Sequence, residues 1–296
     1  MSKSSSQIRL YVILARKAHF GVVFRRGPSK SVLLIGWNTS NDTFEQGQWL
    51  KGRIYERRCD LSPDGSLLLY FAANYRKPLY SWSAISRPPF LTALLLWPKG
   101  DGWGGGGHFL SQRRIALNHR DNEMQIANGF SIPKWLSIEP FGKRPGWGED
   151  DPIWSERLRR DGWSLTSYPK ATKDDFGAKV GWEPSPPIGW RKPNPQWPKK
   201  YALEMSIVGM IERNGPWYMT EHSVVRNGTI LDKLGRTDWA DWGHSGDLLF
   251  AMDGCLYRVR CAQGVLEQLE DAKKIADFSN LKFEQREAPR KALRWK

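Results

Sequence analysis

A turn followed by an apolar strand occurs twice in this chain, and this repeat limits the possible folds more than any other feature. The first copy starts at Asp60 and reads Asp-Leu-Ser-Pro-Asp-Gly-Ser-Leu-Leu-Leu-Tyr-Phe-Ala. The second starts at Asp241 and reads Asp-Trp-Gly-His-Ser-Gly-Asp-Leu-Leu-Phe-Ala. Glycine accepts a positive φ in both turns, and the apolar run after each turn has the length of a buried strand.

The spacing of the two copies indicates a larger repeat. Gly65 and Gly246 align at an offset of 181 residues, which is about four times the 40–45 residues of a propeller blade. A third, weaker turn at Gly162 lies 97 residues after Gly65, or about two blade lengths. The repeats therefore predict an all-β fold, an irregular β-propeller of about five or six blades.

The end of the chain changes its hydrophobic period. Apolar residues after Gly264 recur with the spacing of one helix face, which predicts one C-terminal helix over residues 265–278. The basic tail that begins at Arg286 is expected to be mobile. We expect a propeller over residues 1–264, and a C-terminal helix and basic tail over residues 265–296 that pack on the propeller or trail from it. The ring is expected to close by pairing of the strand over 8–14 with the blade over 248–259.

A proline-rich segment interrupts the strand pattern between residues 182 and 200. It contains six prolines, three tryptophans and four basic residues. This composition is typical of an extended, polyproline-like segment rather than of a strand. We therefore predict a surface strap inserted into the propeller.

Composition indicates a globular protein with a strongly basic surface. Hydrophobic residues make up 40% of the chain, and the net charge is +14. No apolar run reaches the length of a bilayer span, and the first residues lack the pattern of a secretory signal. The three cysteines, Cys59, Cys255 and Cys261, are an odd number and fit a reducing compartment. The expected location is the cytoplasm.

Short matches to catalytic motifs do not form a catalytic pattern. Gly102, Gly104 and Gly107 match a phosphate-loop spacing, His119-Arg120-Asp121 a kinase catalytic loop, and Asp175-Phe176-Gly177 a kinase metal loop. The glycines lie too close to His119 for a nucleotide lobe, and no Walker lysine follows them. A mobile loop is the better interpretation of the glycines. The five histidines show no metal-ligand spacing, so we predict a protein without enzymatic activity, cofactor or metal.

Binding is the function that the composition favours. Sixteen tryptophans accompany clusters of basic residues, and tryptophan and arginine dominate the energetics of protein interfaces. We expect an acidic protein partner to dock on the glycine loop over 99–108 and on the strap. The predicted partner-binding residues are Trp103, His108, Arg113, Arg114, Trp182, Trp190, Arg191, Lys192 and Trp197.

Two other functions stay open. A nucleic-acid-binding accessory protein would also use basic and aromatic side chains, and its affinity would fall steeply with salt. An enzyme with an active site in the funnel is the third possibility. Protein binding that persists at high salt would favour an adaptor, because apolar contacts are not screened.

The two turn-and-strand motifs resemble the blade signature of WD40-like and TolB-type propellers, although regular Gly-His and Trp-Asp dipeptides are absent. The whole chain also resembles an uncharacterised family of basic, tryptophan-rich bacterial proteins. That resemblance rests on Trp49-Leu-Lys-Gly-Arg-Ile-Tyr-Glu-Arg-Arg-Cys-Asp and Trp97-Pro-Lys-Gly-Asp-Gly-Trp-Gly-Gly-Gly-Gly. It implies an ancillary or regulatory subunit of a bacterial antiviral defence complex, including CRISPR-associated protease systems.

Overall fold

A computed structural model describes residues 8–27, 30–170, 182–210 and 216–295. The chain packs into two compact units, each made of two separate stretches of sequence. The N-terminal unit comprises Tyr11–Arg157 and Lys282–Lys296. The C-terminal unit comprises Leu158–Leu281 and the chain up to Leu10.

Three sheets follow one another in the first half of the chain. The first has the strand order β1-β2-β3-β4: β1 (Arg9–Leu14), β2 (Phe20–Arg26), β3 (Ser31–Asn38) and β4 (Thr43–Lys51). The second has the order β5-β7-β8-β9, with β6 also paired to β7: β5 (Arg53–Ile54), β6 (Asp60–Leu61), β7 (Leu68–Ala73), β8 (Ser81–Ser86) and β9 (Ala93–Pro98). The third has the order β10-β11-β12: β10 (Gly107–Ser111), β11 (Arg114–Leu117) and β12 (Ser137–Pro140).

The second half of the chain forms two larger sheets and a short hairpin. One sheet has five strands in sequence order: β13 (Ser164–Ser167), β14 (Ile188–Pro193), β15 (Tyr201–Met210), β16 (Tyr218–Arg226) and β17 (Thr229–Arg236). The next has the order β18-β19-β20-β23: β18 (Trp239–Trp242), β19 (Leu248–Met252), β20 (Cys255–Val259) and β23 (Lys273–Asp277). The hairpin pairs β21 (Cys261–Ala262) with β22 (Val265–Leu266).

The sheets confirm the predicted fold class. In the described part of the chain, five sheets of three or more strands succeed one another. Each contains strands close together in sequence, most of them antiparallel, which is the pattern of propeller blades. The fold is therefore all-β and propeller-like, and the number of sheets lies within the five or six blades predicted.

The repeated turn is present in both places. Gly65 N–H donates to Ser62 O at 2.8 Å, and Gly246 N–H donates to Gly243 O at 2.9 Å. Both glycines have positive φ, +75° and +86°. The first loop is one residue longer, because Leu61 pairs with Leu68 whereas Trp242 pairs with Leu248.

Helix occurs elsewhere than predicted. The α-helix among the described residues is α1 (Ile153–Arg160), which begins after Pro152, a residue favoured at helix starts. Short 3₁₀ turns occupy Glu56–Arg58, Asp121–Glu123, Leu269–Asp271 and Arg290–Leu293.

The predicted C-terminal helix over 265–278 is wrong, because this segment forms β22, a 3₁₀ turn and β23. The free edge of β20 pairs with β23 through Leu256↔Ala276 and Arg258↔Lys273. Because a single helix of this length is marginal in water, an available sheet edge outweighs its apolar periodicity.

The prediction that residues 182–200 form a strap outside the sheets is also wrong in its central part. Residues 188–193 form β14, which pairs with β13 on one side and β15 on the other. The prolines of the segment interrupt this ladder only at Pro193, the last residue of the strand. Proline is tolerated there because a strand end does not need every ladder hydrogen bond.

The chain ends are arranged differently from the prediction. β20 pairs with β19 and β23, and β1 belongs to the sheet of β2, so the expected strand pairing at closure is not formed. Instead, Leu10 N–H donates to Asp238 Oδ2 at 3.0 Å, and a Cβ atom at Gly254 would lie 3.0 Å from Ile8 Cγ2. The dipeptide Asn214-Gly215, which has the sequence of a hairpin turn, lies outside the described residues.

The basic tail packs against the N-terminal unit rather than projecting from it. Arg286 donates through Nη1 to Gln46 O at 3.0 Å. The Trp295 ring lies edge-on to the Trp135 ring, with centroids 5.3 Å apart. Ala292 is only 2% exposed. The tail therefore packs on this unit, which is one of the two arrangements expected for it.

Candidate functional site

Two loops of the N-terminal unit lie side by side and are joined by hydrogen bonds. One is the glycine loop, residues 99–107, and the other is the loop over residues 142–151. Gly104 N–H donates to Gly148 O at 2.8 Å. The buried Asn118 side chain accepts from Gly146 N–H at 2.7 Å and donates to Trp147 O at 3.1 Å. Asn118 therefore holds the second loop, while its backbone bonds to Gly105 and Gly106 hold the first.

A buried arginine beneath the loops fixes both of them. Arg58 is 1% exposed and donates through Nη1 to the carbonyl oxygens of Gly102 and Gly104, both at 2.7 Å. Its Nε donates to Asp150 Oδ1 at 3.0 Å. The guanidinium also lies over the Tyr55 ring, 4.5 Å from its centroid. Because Arg58, Asp150 and Gly104 are buried, losing Arg58 would leave the Asp150 carboxylate and the Gly104 carbonyl without this partner.

The consecutive glycines are required by packing. A Cβ atom at Gly105 would lie 2.4 Å from the Phe71 ring, and one at Gly106 would lie 2.0 Å from Arg58 O. Both residues have positive φ. Their amide groups are already bonded, Gly105 N–H to Asn118 O at 2.7 Å and Gly106 N–H to Ser83 Oγ at 2.7 Å. The phosphate-loop spacing therefore reflects close backbone packing, and the loop is held in place rather than mobile.

Two indole rings project from these loops into solvent. Trp103 is 57% exposed and Trp147 is 67% exposed, the largest fractions for any tryptophan among the described residues. The loops touch immediately beside them, since a Cβ atom at Gly104 would lie 2.7 Å from Gly146 O. The two loops that carry the rings thus form one patch, held by the buried polar groups beneath it.

A cation borders this patch. The Arg120 side chain is 52% exposed, and its Cγ would lie 2.4 Å from a Cβ atom at Gly146. Its Nη1 lies 3.7 Å from Asp101 Oδ2 and 3.7 Å from Glu123 Oε1, so these ion pairs are loose. We call Trp103, Arg120 and Trp147 the tryptophan surface.

Behind the tryptophan surface lies a chain of buried polar groups. The Lys99 side chain is fully buried and pairs with Asp101 at 2.9 Å and with Glu123 at 2.7 Å. His119 Nδ1–H donates to Glu123 O at 3.0 Å, and His119 Nε2 accepts from the Ser83 hydroxyl at 2.8 Å. Burial lowers the pKa of His119 to about 4, so the ring is neutral near pH 7, in agreement with these bonds.

The contact between Ser83 and His119 has the geometry of a nucleophile and its base. Both residues are nevertheless 0% exposed, and the Ser83 oxygen also accepts the Gly106 amide. A substrate has no path to this hydroxyl in the structure, so the pair supports the glycine loop. The residues of the kinase-like triplet do not share one environment, because the His119 ring is buried whereas the Arg120 side chain is exposed.

Of the predicted binding residues in the N-terminal unit, only Trp103 belongs to the tryptophan surface. His108 is 4% exposed, and its Nε2 lies 2.8 Å from Ile153 O, so its ring belongs to the core. Arg113 and Arg114 lie at the turn between β10 and β11, where both are exposed. Arg114 pairs with Glu139 at 2.9 Å.

The remaining predicted residues lie in the C-terminal unit, mostly on β14. Trp190 is 4% exposed, and Lys192 pairs with Asp241 at 2.6 Å. Arg191 pairs with Glu204 at 2.8 Å, and Trp182 O accepts from Met210 N–H at 2.8 Å.

Trp197 is the one tryptophan of this group that is largely exposed, at 40%. The predicted residues therefore form two separate groups, one in each unit, and most of the second group already has a structural partner. Whether any of them binds a partner stays a prediction.

Trp147 was missed at the sequence level. The signal was present, because Gly146 and Gly148 flank it in a region rich in tryptophan, glycine and proline. Glycines on both sides of a tryptophan allow a tight loop that leaves the ring outside the core.

Among the described residues, no group of three or more histidine, cysteine, aspartate or glutamate side chains has the arrangement of a metal site. All three cysteines are free thiols. In the same part of the chain, the length and hydropathy of every helix fall short of a membrane span.

Comparisons with known proteins give only distant similarities. No protein-family model matches the chain, and no curated protein matches it. A putative 6-phosphogluconolactonase from Bacteroides fragilis is 12% identical, with a TM-score of 0.31 and coverage of 94% of this chain and 98% of that one. The β-propeller domain of the Trilobed protease from Pyrococcus furiosus is 10% identical, with a TM-score of 0.30 and coverage of 93% and 100%.

An uncharacterised protein from Listeria monocytogenes is 9% identical, with a TM-score of 0.25 and coverage of 87% of this chain. The match spans 63% of the length of the Listeria protein. At these similarities we assign the fold from the sheets themselves and assign no family.

Proposed function

We propose that this protein is a non-enzymatic binding protein, an adaptor or regulatory subunit, that docks an acidic protein partner on the tryptophan surface. The observation that carries the proposal is the exposure of Trp103 and Trp147 on two adjacent loops that buried groups hold in place. Tryptophan and arginine are the residue types most enriched among interface hot spots. A rigid surface also loses little conformational entropy when a partner binds.

The charge of the chain favours an acidic partner. A net charge of +14 accelerates association with negatively charged proteins. At the surface itself, Arg120 supplies a guanidinium for a carboxylate of the partner. A role in a bacterial cytoplasmic complex for antiviral defence is the more specific form of the proposal, and its support is the sequence resemblance alone.

Single-stranded nucleic acid is the second candidate. Exposed tryptophans beside an arginine would stack on bases, and stacking contributes about 1–3 kcal/mol per base. Salt dependence distinguishes the two candidates. Binding to phosphates weakens steeply with salt, whereas protein binding that buries two indole rings does not.

The test is an affinity capture from the source cells with nuclease treatment and a wash at about 1 M salt, where the Debye length is about 3 Å. The partner identified with the unchanged protein is then purified, and its affinity is measured with the double variant Trp103→Ala/Trp147→Ala. We expect a loss of more than about tenfold, as for hot-spot residues.

Two further variants locate the site. Trp197→Ala removes an exposed tryptophan of the C-terminal unit, and we expect binding to be retained. Lys273→Ala/Lys274→Ala removes two exposed charges from β23 and tests whether net charge alone accounts for the affinity. Loss of binding with Trp197→Ala alone would transfer the site to the segment over 182–200, and material that disappears with nuclease would favour the nucleic-acid function.

A further inference from the structure

A separate cavity in the N-terminal unit has the features of a small-molecule site. Its volume is about 520 Å³, and it is open to solvent, within the 300–1,000 Å³ range of ligand pockets. One wall is the connection from β8 to β9, residues 87–90, and the other is the C-terminal segment over 290–295. Glu45 and Ser66 complete the lining, and none of these residues belongs to the tryptophan surface.

Both walls are fixed. Pro89 O accepts from Gln48 N–H at 3.2 Å, which ties the first wall to β4. The second wall follows Arg286, whose carbonyl oxygen accepts from Gln48 Nε2 at 3.0 Å. Arg87 joins the two walls, because its Nε donates to Arg294 O at 2.9 Å. The cavity is thus formed only when the C-terminal segment is packed in place.

The lining carries an excess of positive charge. Four of its side chains are cationic: Arg87, Arg290, Lys291 and Arg294. Within the described part of the chain, none of the four forms an ion pair with a carboxylate. Apart from the Arg87 Nε, their side-chain N–H groups have no protein acceptor among those residues either. The one carboxylate of the lining is Glu45.

This arrangement points to a ligand with more than one negative charge. Like charges held around one cavity repel each other, and a polyanion would relieve that repulsion while accepting their hydrogen bonds. Arginine suits phosphate in particular, because its planar fork bonds two oxygens at once. Elsewhere in the unit, the buried Arg58 and the exposed Arg114 have carboxylate partners, whereas four cations without such a partner line this one cavity.

The rest of the lining suits a flat ring with polar edges. Phe90 and Trp295 supply aromatic surface, and Pro88 and Pro89 supply further apolar surface. Glu45 is an acceptor for hydroxyl or amino groups, and Ser66 both donates and accepts. We propose that this cavity binds a nucleoside phosphate, with the phosphates on the four cations and the base on the apolar side.

Binding is measured by titration calorimetry on the full-length protein with three probes: ADP, inorganic pyrophosphate and adenosine. We expect ADP to bind, and to bind at least about tenfold more tightly than either of the other two, because only ADP uses both parts of the cavity. Equal affinity for pyrophosphate and ADP would overturn the assignment of the base, and the absence of ADP binding would overturn the site.

The matched variants are Arg290→Ala/Lys291→Ala in the cavity and Lys273→Ala/Lys274→Ala outside it. Each removes two exposed positive charges, so net charge changes equally. We expect the first to weaken ADP binding at least about tenfold and the second to leave it unchanged. Equal weakening by both would show a non-specific charge effect and overturn the proposal. Arg87→Gln provides a second cavity variant if the first fails to fold.

Discussion

At the scale of single residues, the glycines of the loop over 99–107 differ in what they tolerate. A Cβ atom at Gly106 would lie 2.0 Å from Arg58 O, and φ is +74° there. We expect Gly106→Ala to lower the free energy of unfolding by about 2–4 kcal/mol, from strain and overpacking. Gly102 is the control, because nothing lies within 4 Å of its Cβ position. Equal urea midpoints for the two alanine variants would contradict the close packing at Gly106.

The buried histidines predict a pH dependence of stability. Burial lowers the pKa of His119 to about 4 and that of His222 to about 3. Below about pH 6.5 the two histidines take up protons in the unfolded chain but stay neutral in the folded chain. Their contribution to stability is therefore fully present above that pH and is lost as the pH falls. Between pH 7 and pH 5, each histidine should remove about 1–2 kcal/mol of unfolding free energy.

The variant His119→Gln tests how much of this pH dependence comes from His119. Urea unfolding at pH 7 and at pH 5 gives the change in unfolding free energy between the two pH values. In the variant this change should be smaller by about 1–2 kcal/mol, whatever the stability of the variant at pH 7. Most carboxylates titrate below this window, at about pH 4, so they contribute little to the difference. An unchanged difference would show that His119 is protonated in the folded protein.

Which individual side chains are exposed could be predicted only in part. Residue type and flanking glycines identified Trp103, but the same composition reasoning selected His108 and Trp190, which are core residues. The local sequence does not show which face of a strand packs against a neighbouring sheet. The role of Arg58 in holding the loops could not be predicted either, because its acceptors Gly104 and Asp150 lie far from it in the sequence.

At the scale of elements, β14 is the clearest departure from the sequence prediction, and it makes a prediction of its own. Trp190→Ala should lower the unfolding free energy of the C-terminal unit by about 3–5 kcal/mol, because it empties a buried site. Trp197→Ala should cost about 1–2 kcal/mol, since the ring is already 40% exposed. Chemical unfolding of both variants is the measurement, and equal losses would contradict the burial of Trp190.

The turns were more predictable than the elements they connect. Glycine with positive φ at Gly65 and Gly246 is a local requirement, so the sequence motif suffices. The segment over 265–278 is different, because it has helical periodicity and becomes strand only through the open edge of β20. A neighbour distant in sequence decides such cases, and no local pattern reports it.

At the scale of the whole molecule, the strand repeat predicted the series of sheets but not how the chain divides into units. The N-terminal unit takes its last stretch from Lys282–Lys296. Composition alone marked this stretch as a basic tail, because its few apolar residues are spread among charges. Trp295 against Trp135 and Phe283 beside Trp49, with ring centroids 5.8 Å apart, show how those few residues pack.

Removing residues 282–296 should therefore destabilise the N-terminal unit, although the deleted stretch is mostly charged. The deletion exposes the surface under Ala292 and removes the bonds between Arg286 and Gln46 and between Gln48 and Arg286. Losses of buried contacts and hydrogen bonds cost about 0.5–3 kcal/mol each, and we expect the urea midpoint to fall accordingly.

The control is Arg290→Ala/Lys291→Ala, which removes charge from the same segment but no buried side chain, and which should leave the midpoint unchanged. If the deletion also left the midpoint unchanged, the segment would be dispensable for folding, and the cavity that it forms with residues 87–90 would have no structural basis.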